Sequence, residues 1–351
     1  MHLFSRFYGL TQAGETVNQY TMTNKNGVSV SVLDYGCIIT RFCLPDRDGK
    51  MTDIVLGYDT LAEYERDVFA MGAFVGRFAG DIKDSRFTLG GKTYTLLRND
   101  GVNHLHGAMA KRVFRASVHG GGITFTYHSP EGEEGFPGAV DVSVTYTLDD
   151  NNVFSLKYTA VPSADTVLNF TNHTFFNLSG HMSGAVDDQL LQLAADSFLE
   201  TADDACPTGQ ILPVAGTPMD FTCLHHIGRG FPIQYEQMEL VGGYDHCYCL
   251  RAEAAPAALA YSPGSGIALS VVTDQPGLQF YSGDYLGEGG AVSGKDGAHY
   301  HRRAGFALET HGYPCAPNFP QFPSAVVRQG ETYEATTLWQ VQLAGDHDGT
   351  K

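Results

Sequence analysis

The feature that most constrains this chain is a hydrophobic period of two. Apolar and polar residues alternate cleanly in Val28-Ser29-Val30-Ser31-Val32, in Ile123-Thr124-Phe125-Thr126-Tyr127 and in Val140-Asp141-Val142-Ser143-Val144-Thr145-Tyr146. A segment built this way buries one face and wets the other, as a half-buried antiparallel strand does. Turn chemistry separates such segments at short intervals, as in Asp46-Arg47-Asp48-Gly49, Leu89-Gly90-Gly91, Gly120-Gly121-Gly122, Asp149-Asp150-Asn151-Asn152 and Arg328-Gln329-Gly330. Helix signals are few. The best runs from Asp59 to Ala70, where Leu61, Tyr64 and Val68 fall on one face. The pattern predicts an all-β fold, a large antiparallel β-sandwich with helix confined to short connections. A length of 351 residues would allow two domains, but no linker divides the chain and all-β units often run this long. One domain over residues 1–351 is therefore expected.

Charge narrows the partners. Lys and Arg total 22 against 39 Asp and Glu, a net of −17, which repels nucleic-acid backbones and anionic membranes. A neutral small molecule fits better, and neither nucleic acid nor membrane is expected as a partner. Met1 to Leu10 lacks the apolar run of a signal peptide, and no later stretch has the length of an apolar membrane span. Seven cysteines, with Cys247 and Cys249 as the one close pair, suit a reduced state. Asn169, Asn172 and Asn177 begin glycosylation sequons, but glycans there would crowd the block around His173. A cytoplasmic setting is expected.

Segments that break the alternation are where functional groups concentrate. They are Gly76-Arg77-Phe78-Ala79-Gly80, Asn103-His104-Leu105-His106-Gly107, Thr171-Asn172-His173-Thr174-Phe175-Phe176-Asn177-Leu178, Gly243-Tyr244-Asp245-His246, and Leu308-Glu309-Thr310 leading to Pro317-Asn318-Phe319-Pro320. His104 and His106 would share a strand face, one way to place two imidazoles on a metal, yet the next acid is Glu131, too distant for the usual ligand spacing. His106 reads better as a hydrogen-bonding group at a pocket edge. His173 is either a core histidine or a site residue. Arg77, entering from an apolar run, is either paired with a carboxylate or aimed at a ligand. Asp245 is either a turn residue or functional, and Glu309 in a strand-like run is a carboxylate that is usually partnered or catalytic. Cys247 and Cys249 read as core. Gly289 to Lys295 approaches a phosphate loop but ends on Asp296, and no helix signal follows. If Glu309 and His173 face one pocket, they form a general acid and base pair.

Taken together these segments resemble the aldose 1-epimerases, or galactose mutarotases. The likeness runs through Asp34-Tyr35-Gly36, Pro45 to Gly49, Leu56-Gly57-Tyr58-Asp59, Gly132-Glu133-Glu134-Gly135-Phe136-Pro137-Gly138, the His173 block, Thr273 to Tyr281, and Pro317 to Pro320. The resemblance implies a galactose mutarotase-like supersandwich and cofactor-free interconversion of the anomers of a free aldohexose such as galactose or glucose. It implies Glu309 as base, His173 as acid, and His106 and Asp245 as sugar-binding groups. One of Gln275 and Gln279 would join them, and Phe280 or a neighbouring aromatic would face the sugar. The chain departs from the family at Gly80-Asp81, where Asn-Arg is usual, at Ala108, and at His311, where Gln is common. Arg77 is then the nearest cation that could compensate for the missing Arg, as a substrate-binding residue. No metal is expected, and the chain is expected to be a monomer or homodimer. Three rivals stand beside this reading. One is a related epimerase for a sugar phosphate or a disaccharide, with Lys111-Arg112 or Arg302-Arg303 as the cationic pocket a phosphate would need. A sugar-binding relative would lack the chemistry, and a metal enzyme would build on His104 and His106.

Overall fold

The computed structural model describes residues 2–252 and 254–344. The alternating segments form antiparallel strands, Ser29–Leu33, Gly122–Ser129 and Val140–Leu148 among them. Three large sheets result. The first is a five-stranded meander of His2–Leu10, Thr16–Thr23, Ser29–Leu33, Ile39–Pro45 and Met51–Asp53. The second has nine strands, in which the last described strand, Tyr333–Leu343, inserts between Val153–Pro162 and Ile267–Thr273. Trp339 on that strand is core, edge-on to Phe176 at 4.9 Å. The third has six strands, ordered Phe175–Phe176, Phe306–His311, Gly277–Tyr281, Asp245–Leu250, Ala195–Thr201 and Pro207–Pro213.

Turns follow their chemistry. Gly90 and Gly91 both take positive φ in the hairpin joining Arg86–Leu89 to Lys92–Thr95, as a two-residue turn of that hand requires. The expected helix is shorter than its sequence pattern. It spans Leu61–Arg66, with Glu63 closing a capping box on Thr60, and buries Leu61 and Tyr64. Because the helix ends at Arg66, Val68 leaves its predicted buried face and is exposed.

The six-stranded sheet positions the site, and period two decides how. Phe198, Tyr248, Leu278, Phe280, Phe306 and Leu308 point into the main core cluster. Their odd-numbered neighbours point the other way, so Cys247, Gln279 and Glu309 lie in one row across three strands, with Asp245 opposite Tyr281 in the next. Burial of the even face thereby fixes which residues the odd face presents.

Candidate active site

A cavity of about 370 Å³ opens on that odd face. Its floor includes Leu199, Thr201, Asp245, Cys247, Gln279, Tyr281, Glu309 and His311, and its walls include His173, Phe175, Phe69, Gly80, Asp81, Asp100 and His106. Of the residues expected from sequence, Glu309, His173, His106, Asp245 and Gln279 all line it.

His173 stands just before Phe175–Phe176, its backbone N–H donating to Ala73 O and its own carbonyl accepting from Gly72. Its Nε2 lies 3.5 Å from Glu309 Oε1, and its ring packs 4.9 Å from Phe175 and 6.3 Å from Tyr281. Both groups are almost wholly buried. Burial disfavours either charge alone, so it pushes Glu309 well above the usual carboxylate range, with Asp245 adding to the rise. The same cause lowers His173 to about 4. Such a pair holds one proton between its members, as Glu309–COOH with neutral His173 or as carboxylate with imidazolium.

His106 has a defined tautomer. The Gly80 backbone N–H donates to its Nδ1 at 3.1 Å, which leaves the ring proton on Nε2 as a donor toward the cavity. Burial, with His173 adding, holds its pKa well below the ordinary value. Its ring centroid is 5.5 Å from that of His173. The Gly132–Gly138 motif holds this wall in place, since Glu134 Oε2 accepts from the Ala108 N–H at 2.7 Å. On the floor, Gln279 Nε2 donates to Asp245 Oδ1 at 2.7 Å. Burial raises Asp245 to about 6 despite that bond.

Other expectations need correction. Arg77 does not reach the cavity. Its guanidinium donates to Ser129 Oγ at 2.8 Å and to the carbonyls of Ser129, Pro130, Pro137 and Gly138, at 2.7 to 3.2 Å. It is a buried clamp between the 76–80 and 129–138 segments. Arg77→Lys is expected to lower unfolding free energy by about 3 kcal/mol, since several hydrogen bonds to a charged donor are lost. Denaturant titration would show this, while KM for sugar changes less than twofold. Gln275 is also absent from the cavity, its amide turned to Asp274 at 2.7 Å. Of Phe280 and its neighbouring aromatics, Phe280 is core and Tyr281, on the opposite face of the strand, is the one in the cavity floor. His104 does not converge with His106. The strand stops at Leu105, His106 takes a positive φ, and His104 Nδ1 bonds to Leu97 O at 2.8 Å.

The cations proposed for a phosphate are committed elsewhere. Lys111 binds the carbonyls of Tyr64, Glu65 and Asp67, and Arg112 pairs with Glu133. Arg302 pairs with Asp284 and Arg303 with Asp187. Lys295 at the end of the glycine-rich stretch is buried against Asp53 at 2.8 Å. The sequon residues Asn169, Asn172 and Asn177 are buried and hydrogen-bonded, so folded chain offers no acceptor amide there. Asp81, Asp100 and His311 line the cavity without having been singled out as site residues. The strand parity that links Glu309 to His311 was the available signal.

The chain is similar to known proteins over nearly its whole length. A family model described as Aldose 1-epimerase matches residues 18–340. The galactose mutarotase of Sus scrofa is 39% identical over 97% of this chain and 98% of its own. The aldose 1-epimerase of Escherichia coli K12 is 33% identical over 94% and 97%. Among solved structures, an aldose epimerase homologue from C. elegans superposes with a TM-score of 0.86 at 29% identity, over 97% of this chain and 100% of that one.

Proposed function

The chain belongs to the aldose 1-epimerase family, and from that premise we propose that its cavity binds a free aldohexose and interconverts the α and β anomers by acid-base ring opening. The observation that carries the reading is the buried pair of Glu309 and His173 at 3.5 Å, facing a cavity of sugar size. As carboxylate, Glu309 takes the proton of the anomeric hydroxyl. The C1–O1 bond becomes a carbonyl, the bond from C1 to the ring oxygen breaks, and that oxygen takes the proton of His173 Nε2. The pair begins and ends with one proton, on His173 before and on Glu309 after, so its net charge never changes. Rotation about C1–C2 and the reverse steps close the ring on the other face. His106 Nε2–H donates to a sugar oxygen, Asp245 accepts from sugar hydroxyls, and the Tyr281 and Phe175 rings offer apolar faces to C–H groups.

Three atoms, one each from His106, His173 and Glu309, lie within 4.8 Å of one another, a spacing that could take a divalent cation. A bound cation would occupy the lone pairs the acid and base need, so the chemistry argues against a metal requirement. Polarimetry of freshly dissolved α-galactose and α-glucose is expected to show accelerated relaxation that survives exhaustive chelation and is inhibited by added zinc. Loss of rate on chelation, restored by a metal, would sink the cofactor-free reading. Asp245→Asn is expected to act on binding more than on chemistry, raising KM about tenfold or more with a smaller change in kcat. Steady-state kinetics separates the two.

Two wider parts belong to the same reading. One core cluster draws residues from Met22 to Val341, which supports a single domain spanning the chain. The seven cysteines are free thiols, which supports a reducing, cytoplasmic setting, and no helix among the described residues is long and apolar enough to cross a membrane. A phosphorylated substrate is disfavoured, because no Lys or Arg among the described residues lines the cavity.

A further inference from the structure

Asp81 begins the two-residue strand Asp81–Ile82, paired with His104–Leu105, and its carbonyl accepts the Cys315 N–H. Gly80 before it has φ +78, and a Cβ there would meet Pro314 at 2.8 Å. The local backbone is thus tightly set. Asp81 lines the cavity and is only 8% exposed as a residue, and its Oδ1 has no hydrogen-bond partner. No salt bridge among the described residues reaches it.

The polar lining is unbalanced in one direction. Among the described residues four carboxyl groups line the cavity, those of Asp81, Asp100, Asp245 and Glu309, and no Lys or Arg does. Buried acceptor atoms without partners include Asp81 Oδ1, Gln279 Oε1 and Glu309 Oε2. His311 uses Nδ1 on Gly312 O, which makes its Nε2 a further acceptor, and against these stand His106 Nε2–H, the shared proton of the His173–Glu309 pair and the hydroxyls of Thr201, Tyr281 and Tyr285. A hydroxyl brings one donor and two acceptor lone pairs, whereas an ammonium brings three donors, no acceptor and a positive charge. An ammonium therefore answers the surplus of acceptors and supplies the positive charge that lets a buried carboxyl beside it ionise. Burial pushes the Asp81 carboxyl well above its usual range, with Asp100, Asp245 and Asp204 adding to the rise. A cation beside it would reverse that cost.

We propose that Asp81 contacts the substrate and sets its charge class, selecting aldoses that carry a protonated amino group over their neutral parents and excluding aldoses that carry a carboxylate or phosphate. This rests on the reading of the cavity as a sugar site. The test measures kcat/KM for anomerisation of galactosamine, galactose and galacturonate by the wild-type protein, Asp81→Asn and Asp81→Ser. Calorimetric Kd values for the same sugars are taken on Glu309→Gln, so that binding is read apart from chemistry. Expected are a wild-type preference for galactosamine, no measurable turnover of galacturonate, and a fall of about ten- to a hundredfold in the galactosamine to galactose ratio in both Asp81 variants. An unchanged ratio in variants that still turn over galactose would overturn the proposal, as would equal wild-type use of galacturonate. Binding with the expected preference but no turnover would leave Asp81 as proposed and remove the acid-base reading. Binding of none of the sugars would overturn both.

Discussion

Glu309→Gln is expected to slow anomerisation by about a thousandfold or more while the protein stays folded. The amide keeps the shape of the side chain but cannot take the proton of the anomeric hydroxyl, and general bases are commonly worth about 10²- to 10⁴-fold. The remaining groups still bind sugar, so KM should change far less than kcat. Stability should move the other way. Burial raises the folded-state pKa of Glu309, so its contribution is fully present below the unfolded carboxylate pKa and is lost as pH rises toward the folded value. The variant has no such loss, and its stability relative to wild type should grow as pH rises through the acid range. Thermal melts between pH 4 and 8 read this directly. Full activity in the variant would remove Glu309 from the mechanism.

His173→Asn should be nearly as damaging, about a hundred- to ten-thousandfold in kcat, because the departing ring oxygen loses its proton donor. The pH profile distinguishes this from a packing defect. With one proton shared by the pair, the active form persists between the lowered pKa of His173 and the raised pKa of Glu309. Below about 4 the imidazole gains a proton while Glu309 is already protonated, and the base is gone. Wild-type kcat/KM should therefore fall on the acid side near that value, and the residual rate of His173→Asn should lack that limb. A variant that loses rate uniformly but keeps the same acid limb would point to a structural role instead.

Much of this was legible in the chain because β-structure writes its two faces into alternate residues. The strands around Val30, Phe125 and Val144 were evident from period two, and Glu309 stood out as a carboxylate in an apolar strand. Strand bounds, which parity does not give, separate Gln279 from Gln275, since only the former lies inside Gly277–Tyr281 and shares a row with Glu309. Parity does put Tyr281 rather than Phe280 in the cavity floor, and it brings in His311. Arg77 was not legible. Its partners are four carbonyls and a hydroxyl more than fifty residues away, and carbonyls leave no residue-type signal. The end of the strand at Leu105 was equally hidden, because the positive φ of His106 is set by the Gly80 contacts and not by residue type. Asp81 marked a departure from the family pattern, but only the fold shows it buried and facing the cavity.

The most direct test of the central claim is polarimetric relaxation of α-galactose by wild type, Glu309→Gln, His173→Asn and the double variant. If the two residues act as one proton-transfer unit, each single variant loses most of the acceleration and the double variant is about as slow as the slower single. Free-energy losses that simply add, or a wild-type protein that binds galactose and leaves its relaxation unchanged, would contradict the paired mechanism.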